Sequence, residues 1–393
     1  MFRRFLWMHI CFGAFVQIDG VFVNTFVLRV TGNQQHVMIF NIVLAIVQPA
    51  AMVLSVRLMR HFSPIRTQQW GLGLYCAIYI LLIIGLDKTM DSFLIIAAIL
   101  SAAAGFYYTT YILQLLCYTS EGNRDTAIGV IGMFGSTLSL LAPLLSGFLI
   151  SLFSDYSGYR LLFVACAAIS SLALYFSTRL APLPFHEKKS SIKYKQILRI
   201  FTNDTGMRAA MSSSFLQGIY AGTVGVFINI LLYTLVKNES LIGTQNFLRG
   251  MIGITASAVY ARKVKPANRV QIMVIALLSV LGLTSLMYLH LSPMMIILYG
   301  FILSLATPFF SNPPLILYMG VLQAQPQLQD HGAEVHASRE FYYAAGRVAG
   351  LVVAIVLPQT NAGAVTVLIT LTGVQLLSAV YCRRMQSVLK QGA

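Results

Sequence analysis

A chain of 393 residues that is 57% hydrophobic and only 10% charged is not a soluble domain, in which charged residues make up about 25%. A mean hydropathy of +0.75 over the whole length calls for many membrane-crossing segments rather than one buried core. The formal charge of +15 is concentrated in alternate loops, so it marks topology and contact with anionic headgroups, not a nucleic-acid surface.

A helix needs roughly 20 apolar residues to cross the hydrocarbon core. Twelve segments meet this, at 5–29, 34–59, 67–86, 92–118, 124–153, 159–180, 207–236, 240–261, 270–290, 293–322, 334–357 and 361–382. The fold class predicted is therefore all-α integral membrane. The start, Met1-Phe2-Arg3-Arg4, imitates a signal peptide but lacks a small-x-small cleavage site, so it reads as a retained first helix. Within that helix Asp19 is an isolated carboxylate, roughly 20 Å from the cytoplasmic end at 1.5 Å per residue. Such a group must be paired, hydrated or protonated.

Segment four carries Gly105-Phe-Tyr-Tyr-Thr-Thr-Tyr111-Ile-Leu-Gln114, in which Tyr107, Tyr111 and Gln114 share one face, an aromatic wall suited to organic solutes. The stretch 181–206 is a basic cytoplasmic linker. From Tyr194 it is amphipathic, with Ile197, Leu198 and Phe201 beside Lys193, Lys195 and Arg199, and reads as an interfacial helix. It separates a bundle at 1–180 from a second at 207–393. Segment eight holds Arg249. Segment ten holds Pro308, Asn312, Pro313 and Pro314, a cluster expected to kink the helix, either as a gating hinge or binding site at the break or as a static kink. Segment eleven holds Arg339, Glu340 and Arg347. Glu340 and Arg347 lie two turns apart on one face, and Arg339 is close enough to the cytoplasmic end to snorkel.

Most of the 27 Lys and Arg lie in the loops beside Arg3, Arg57, Arg124, Lys188, Arg262 and Arg383. The positive-inside rule places both termini and the central linker in the cytoplasm. The opposite loops hold Lys88, Arg160 and Lys237, with Arg29 at their edge, together with Asp87, Asp91, Asp155 and Glu239.

An internal repeat appears at an offset of 205 positions. Gly20-Val-Phe-Val-Asn24 falls on Gly225-Val-Phe-Ile-Asn229, and Asn33, Asn41 and Arg57 fall on Asn238, Asn246 and Arg262. Two parallel six-helix halves are a transporter architecture. With twelve segments, the repeat and the basic linker, the chain resembles the major facilitator superfamily over its whole length. The export-type pattern of the fifth helix in that family, Gly-x8-Gly-x3-Gly-Pro-x2-Gly-Gly, is matched in degraded form. Gly129, Pro143 and Gly147 fit, Ala142 and Ser146 keep the position small, and Leu138 departs. The loop at Val56–Arg66 is basic but lacks the family's aspartate and glycines.

The resemblance implies a cavity lined by helices 1, 4, 7 and 10 and flanked by 2, 5, 8 and 11. Asp19 aligns with Val224 and Arg249 with Leu44, so these charges are not demanded by the repeat. They read as coupling groups (Asp19, Glu340 for protons; Arg249, Arg347 for substrate or coupling) or as structural ion pairs. Gln17, Asn24, Tyr107, Tyr111, Gln114, Asn229, Asn246 and Asn312 are candidate cavity residues, and Pro143, Pro308, Pro313 and Pro314 candidate gate positions. Asn24 and Asn229, which repeat, are also a structural pair of equivalents. The expected function is a monomeric secondary transporter of a small organic solute in the bacterial cytoplasmic membrane, proton-coupled and exporting. A lipid flippase or a solute importer on the same fold is the alternative. No cofactor, metal or catalytic site is expected: there is no HExxH, and the five cysteines contain no CxxC pair.

Overall fold

The computed structural model describes residues 2–59, 61–84, 93–118, 124–153, 155–183, 194–289, 291–325, 328, 331–357 and 360–391. Among these the chain is helical and without strands. The helices are α1 (Phe2–Thr31), α2 (Gln34–Met59), α3 (Pro64–Ile84), α4 (Phe93–Tyr118), α5 (Arg124–Ser151), α6 (Ser157–Thr178), α7 (Tyr194–Asn203), α8 (Thr205–Val236), α9 (Glu239–Lys263), α10 (Arg269–Leu286), α11 (Pro293–Gln323), α12 (Gly332–Val356) and α13 (Asn361–Gln391). Apart from the ten-residue α7, they correspond to the twelve expected segments. Nine are long and apolar enough to cross a membrane unaided among the described residues. α9 and α12 are not among the nine, and these are the helices carrying Arg249 and the Arg339, Glu340 and Arg347 set. Arg60, Asp87, Lys88, Asp91 and Lys188 lie outside the described residues, as do the surroundings of Gly129.

The chain forms two compact units. Unit one comprises Met1–Ser191 and Asn238–Phe247, and unit two Ile192–Lys237 and Leu248–Ala393. The two share one plan. In unit one α1 packs on α5 and α6, and α3 on α4 and α6. In unit two α8 packs on α12 and α13, and α10 on α11 and α13. The repeat also governs a turn. After α1, Gly32 takes a left-handed φ of 64° and Asn33 caps the next helix, its Oδ1 accepting from Gln35 N at 2.8 Å. At the same offset, Lys237 takes φ 51° and Asn238 Oδ1 accepts from Leu241 N at 3.0 Å. Glycine adopts that conformation without steric cost; lysine is strained there.

Close helix contact in unit two rests on two pairs of glycines four residues apart. A Cβ on Gly218 or Gly346 would run into the backbone carbonyl of Tyr343 or Phe215 respectively, and one on Gly350 into that of Ile219. The aliphatic stem of Arg347 fills the space beside Gly222. Small residues let α8 and α12 approach to backbone contact, as is common between membrane helices.

Two expectations are corrected. The prolines of α11 do not break it: the helix runs without interruption from Pro293 through Pro308, Pro313 and Pro314 to Gln323. A proline removes one donor and one turn's clearance, and a packed helix absorbs both by local adjustment. The amphipathic α7 does not offer its whole apolar face to lipid. Ile197 and Phe201 are fully buried against α8 and α12 within unit two, while Leu198, Lys195 and Arg199 are exposed.

Candidate functional site

Asp19 lies on α1 within unit one. Its Oδ2 accepts a hydrogen bond from the Tyr79 hydroxyl of α3 at 2.6 Å, and its Oδ1 is buried without a hydrogen-bond partner. Among the described residues it forms no ion pair. The carboxyl thus meets a phenol, not an arginine. Phe15 lies tilted against Tyr75 at 4.8 Å and edge-on to Tyr79 at 5.9 Å between ring centroids, so an aromatic layer borders the acid.

The aromatic face of α4 is used differently from the expectation. Tyr107 is fully buried, stacked on Phe12 at 3.4 Å and hydrogen-bonded to His9 Nδ1 at 2.8 Å. Tyr111 stacks on His9 at 4.3 Å. Gln114, also fully buried, exchanges both amide bonds with Gln68 of α3, at 2.9 and 2.5 Å. Tyr107 and Gln114 are thus enclosed by protein among the described residues; the helical face packs against α1 and α3, burying its aromatic surface on Phe5, His9 and Phe12. Asn24 likewise serves packing, its Oδ1 accepting from Asn41 Nδ2 at 2.6 Å. Gln17, Asn229, Asn246 and Asn312 are half-buried, and Pro143, Pro308, Pro313 and Pro314 are buried.

One cluster escaped the sequence reading. Arg29, at the end of α1, donates Nη1 to Glu239 Oε1 at 2.9 Å, within unit one. Tyr159 donates to the same oxygen at 3.3 Å, and the guanidinium lies 5.4 Å from the Tyr156 ring centroid. Beside it, Gly147 faces the Glu239 carbonyl and Gly243 the Pro143 carbonyl, so the motif residues of α5 form a close crossing with the start of α9. A lone acid and a lone base at the same end of two segments were the available signal. Removing either partner strands the other in a largely buried site. Glu239→Gln is expected to cost on the order of 2 kcal/mol, below the about 3–5 of a fully buried pair because Arg29 keeps some exposure. A double-mutant cycle with Arg29→Met, read by thermal unfolding, measures the coupling; coincident midpoints for all four proteins would refute it.

In unit two a cavity of about 330 Å³ opens among α8, α11, α12 and α13. Gln217, Tyr220, Phe310, Arg339, Glu340 and Gln375 line it. Arg339 does not snorkel. Its Nε donates to Ser214 Oγ at 3.0 Å, and its guanidinium stacks 4.6 Å from the Tyr318 centroid. Glu340 lies within electrostatic reach of Arg339 and Arg347. Arg249 donates Nε to Ser304 Oγ at 3.3 Å and lies in reach of the Tyr220 and Tyr299 hydroxyls. Of the predicted charges, Glu340 faces the cavity, while Arg249 and Arg347 stand behind its walls.

The model of the Major Facilitator Superfamily matches residues 6–351 of the chain. The chain belongs to that superfamily, and it is a multi-pass membrane protein with the fold of the family's transporters. It is 21% identical over 336 residues to the uncharacterized protein YqgE of Bacillus subtilis, covering 86% of this chain and 77% of that one. Among solved structures it is similar to a D-xylose–proton symporter, with a TM-score of 0.73, 13% identity and 97% and 96% of the two chains covered. It is also similar to a proton-dependent oligopeptide transporter, with a TM-score of 0.72, 12% identity and 99% of each chain covered.

Proposed function

We propose that the protein is a proton-coupled secondary transporter of a small organic solute, working by alternating access of its two bundles. The observation that carries the reading is Asp19: a carboxyl in the middle of a membrane helix, one oxygen held by Tyr79 and the other buried without a partner. A carboxyl in such a site is stabilised by a cation, by water or by a proton. No cation pairs with it among the described residues, which leaves groups that exchange as the protein moves. Proton coupling is also named for the xylose symporter and the oligopeptide transporter whose fold the chain shares. Glu340, beside Arg339 in the cavity, is the second candidate for coupling.

The direction proposed is export from the cell across the cytoplasmic membrane, by a monomer with both termini inside. Support comes from the fifth-helix motif, whose Pro143 and Gly147 form the close crossing with α9, and from the loop charges. The test is solute flux in proteoliposomes containing the purified protein, with the pH gradient imposed in either direction. Flux should follow the sign of the gradient. Flux indifferent to it excludes proton coupling.

A further inference from the structure

The cavity in unit two holds more unmatched polarity than a packing void. Glu340 has no hydrogen bond or ion pair among the described residues, although Arg339 is its chain neighbour. Successive helical residues diverge by about 100°, so the two charges face different parts of one space. Arg339 is fixed through Nε and the planar face of its guanidinium, and its terminal nitrogens make no hydrogen bond among the described residues. Gln375 Oε1, on the same wall, is buried without a hydrogen-bond partner among the described residues, whereas the Tyr220 hydroxyl turns to Tyr299 and Thr372 behind the wall. Buried polar groups left unmade are costly, by about 1–3 kcal/mol each. Two opposite charges and an amide on the walls of one cavity therefore call for a polar occupant.

The chemistry of the walls narrows that occupant. A neutral solute leaves both charges unmatched. A simple anion meets Glu340 as a repulsion, and a simple cation meets Arg339. Only a solute with both charges satisfies the two residues at once. Phe310, Tyr220 and Tyr343 supply surface for an apolar body. The volume of about 330 Å³ is near the lower end of ligand pockets, about 300–1,000 Å³, which suits a molecule of amino-acid size.

We propose that this cavity binds a small zwitterion, with Arg339 taking its carboxylate and Glu340 its ammonium group. The inference rests on the reading of the protein as a transporter of a small organic solute, and it names the class of that solute. Arg347 adds a second positive field at Glu340, so the carboxylate end is the more strongly held of the two.

The experiment is equilibrium binding to the purified full-length protein, by calorimetry and by thermal shift. The probes are L-phenylalanine, L-leucine, N-acetyl-L-phenylalanine, L-phenylalanine methyl ester and D-xylose. At least one free amino acid should bind and raise the unfolding midpoint. The N-acetyl derivative should bind at least about 10-fold more weakly and the ester more weakly still, since a charge-assisted bond is worth about a decade or more. Glu340→Gln should remove discrimination against the N-acetyl derivative, and Arg339→Gln that against the ester. If Arg339→Gln does not elute as a monodisperse peak, the isosteric Glu340→Gln decides alone. The proposal is overturned if neither amino acid binds at about 10 mM, if a blocked derivative or D-xylose binds as well as the free amino acid, or if Glu340→Gln discriminates as the natural protein does. Binding is measured without a gradient. A failure here leaves proton coupling standing, and a failure of proton coupling leaves this site standing.

Discussion

Asp19→Asn is expected to reduce gradient-driven solute accumulation to the level of empty liposomes while the protein still folds. Asparagine keeps the shape of aspartate and still accepts from Tyr79, whose hydroxyl now stands 2.6 Å from Oδ2. What it loses is the ability to take and release a proton. A carboxyl acting only as a structural anchor predicts a different result: the asparagine variant would transport normally, because the hydrogen bond survives. Solute exchange under counterflow, with no gradient applied, separates the outcomes further. Exchange moves no net proton, so it should persist in Asp19→Asn if the residue couples, and fall with accumulation if the change merely damages the fold. Unchanged dependence of accumulation on the gradient would end the proton-carrier role of Asp19.

Gly346→Ala is expected to have the largest effect on stability. The added Cβ would meet the Phe215 carbonyl oxygen and carbon and the Ile219 amide, all backbone atoms of α8. Side chains rotate away from a clash; a helix backbone cannot without separating the two helices. Overpacking commonly costs about 1–3 kcal/mol, and a contact against backbone belongs at or beyond the upper end. Gly225→Ala is the control, since nothing lies within 4 Å of its Cβ position and the residue is exposed. Removing the helix penalty of glycine there should be neutral or stabilise by up to about 1 kcal/mol. Thermal unfolding of both variants in the same detergent checks the contrast. Equal midpoints would mean that α8 and α12 do not rely on close contact.

Much of the fold is legible in the sequence. Apolar segments longer than a bilayer, separated by basic loops, leave a chain few options, because unpaired backbone cannot remain in lipid. The 205-residue offset was equally informative. It matched not only apolar blocks but the turn at Gly32 and Lys237, where the asparagines that follow, at the same offset, cap the next helix in each half of the chain. The site was less legible. Charges in membrane segments advertise themselves by rarity, which singles out Asp19, Arg249, Glu340 and Arg347 as candidates. Their partners are not so marked. Nothing in the order of residues says that Tyr79 lies beside Asp19, that Gln114 closes on Gln68, or that Arg29 reaches Glu239, which is 210 positions away.

The sequence by itself determined the class of protein, the number and order of the membrane segments, and the internal repeat, because hydropathy and periodicity are properties of the chain read along its length. Tertiary structure alone decided what each polar group does. It turned Tyr107, Gln114 and Asn24 into packing elements, kept α11 continuous through its prolines, and drew Arg339 from an expected place at the lipid surface into a cavity wall. Pairing depends on distances between helices that lie far apart in the chain, and those distances are set by side-chain packing, down to the single absent methyl group at Gly346.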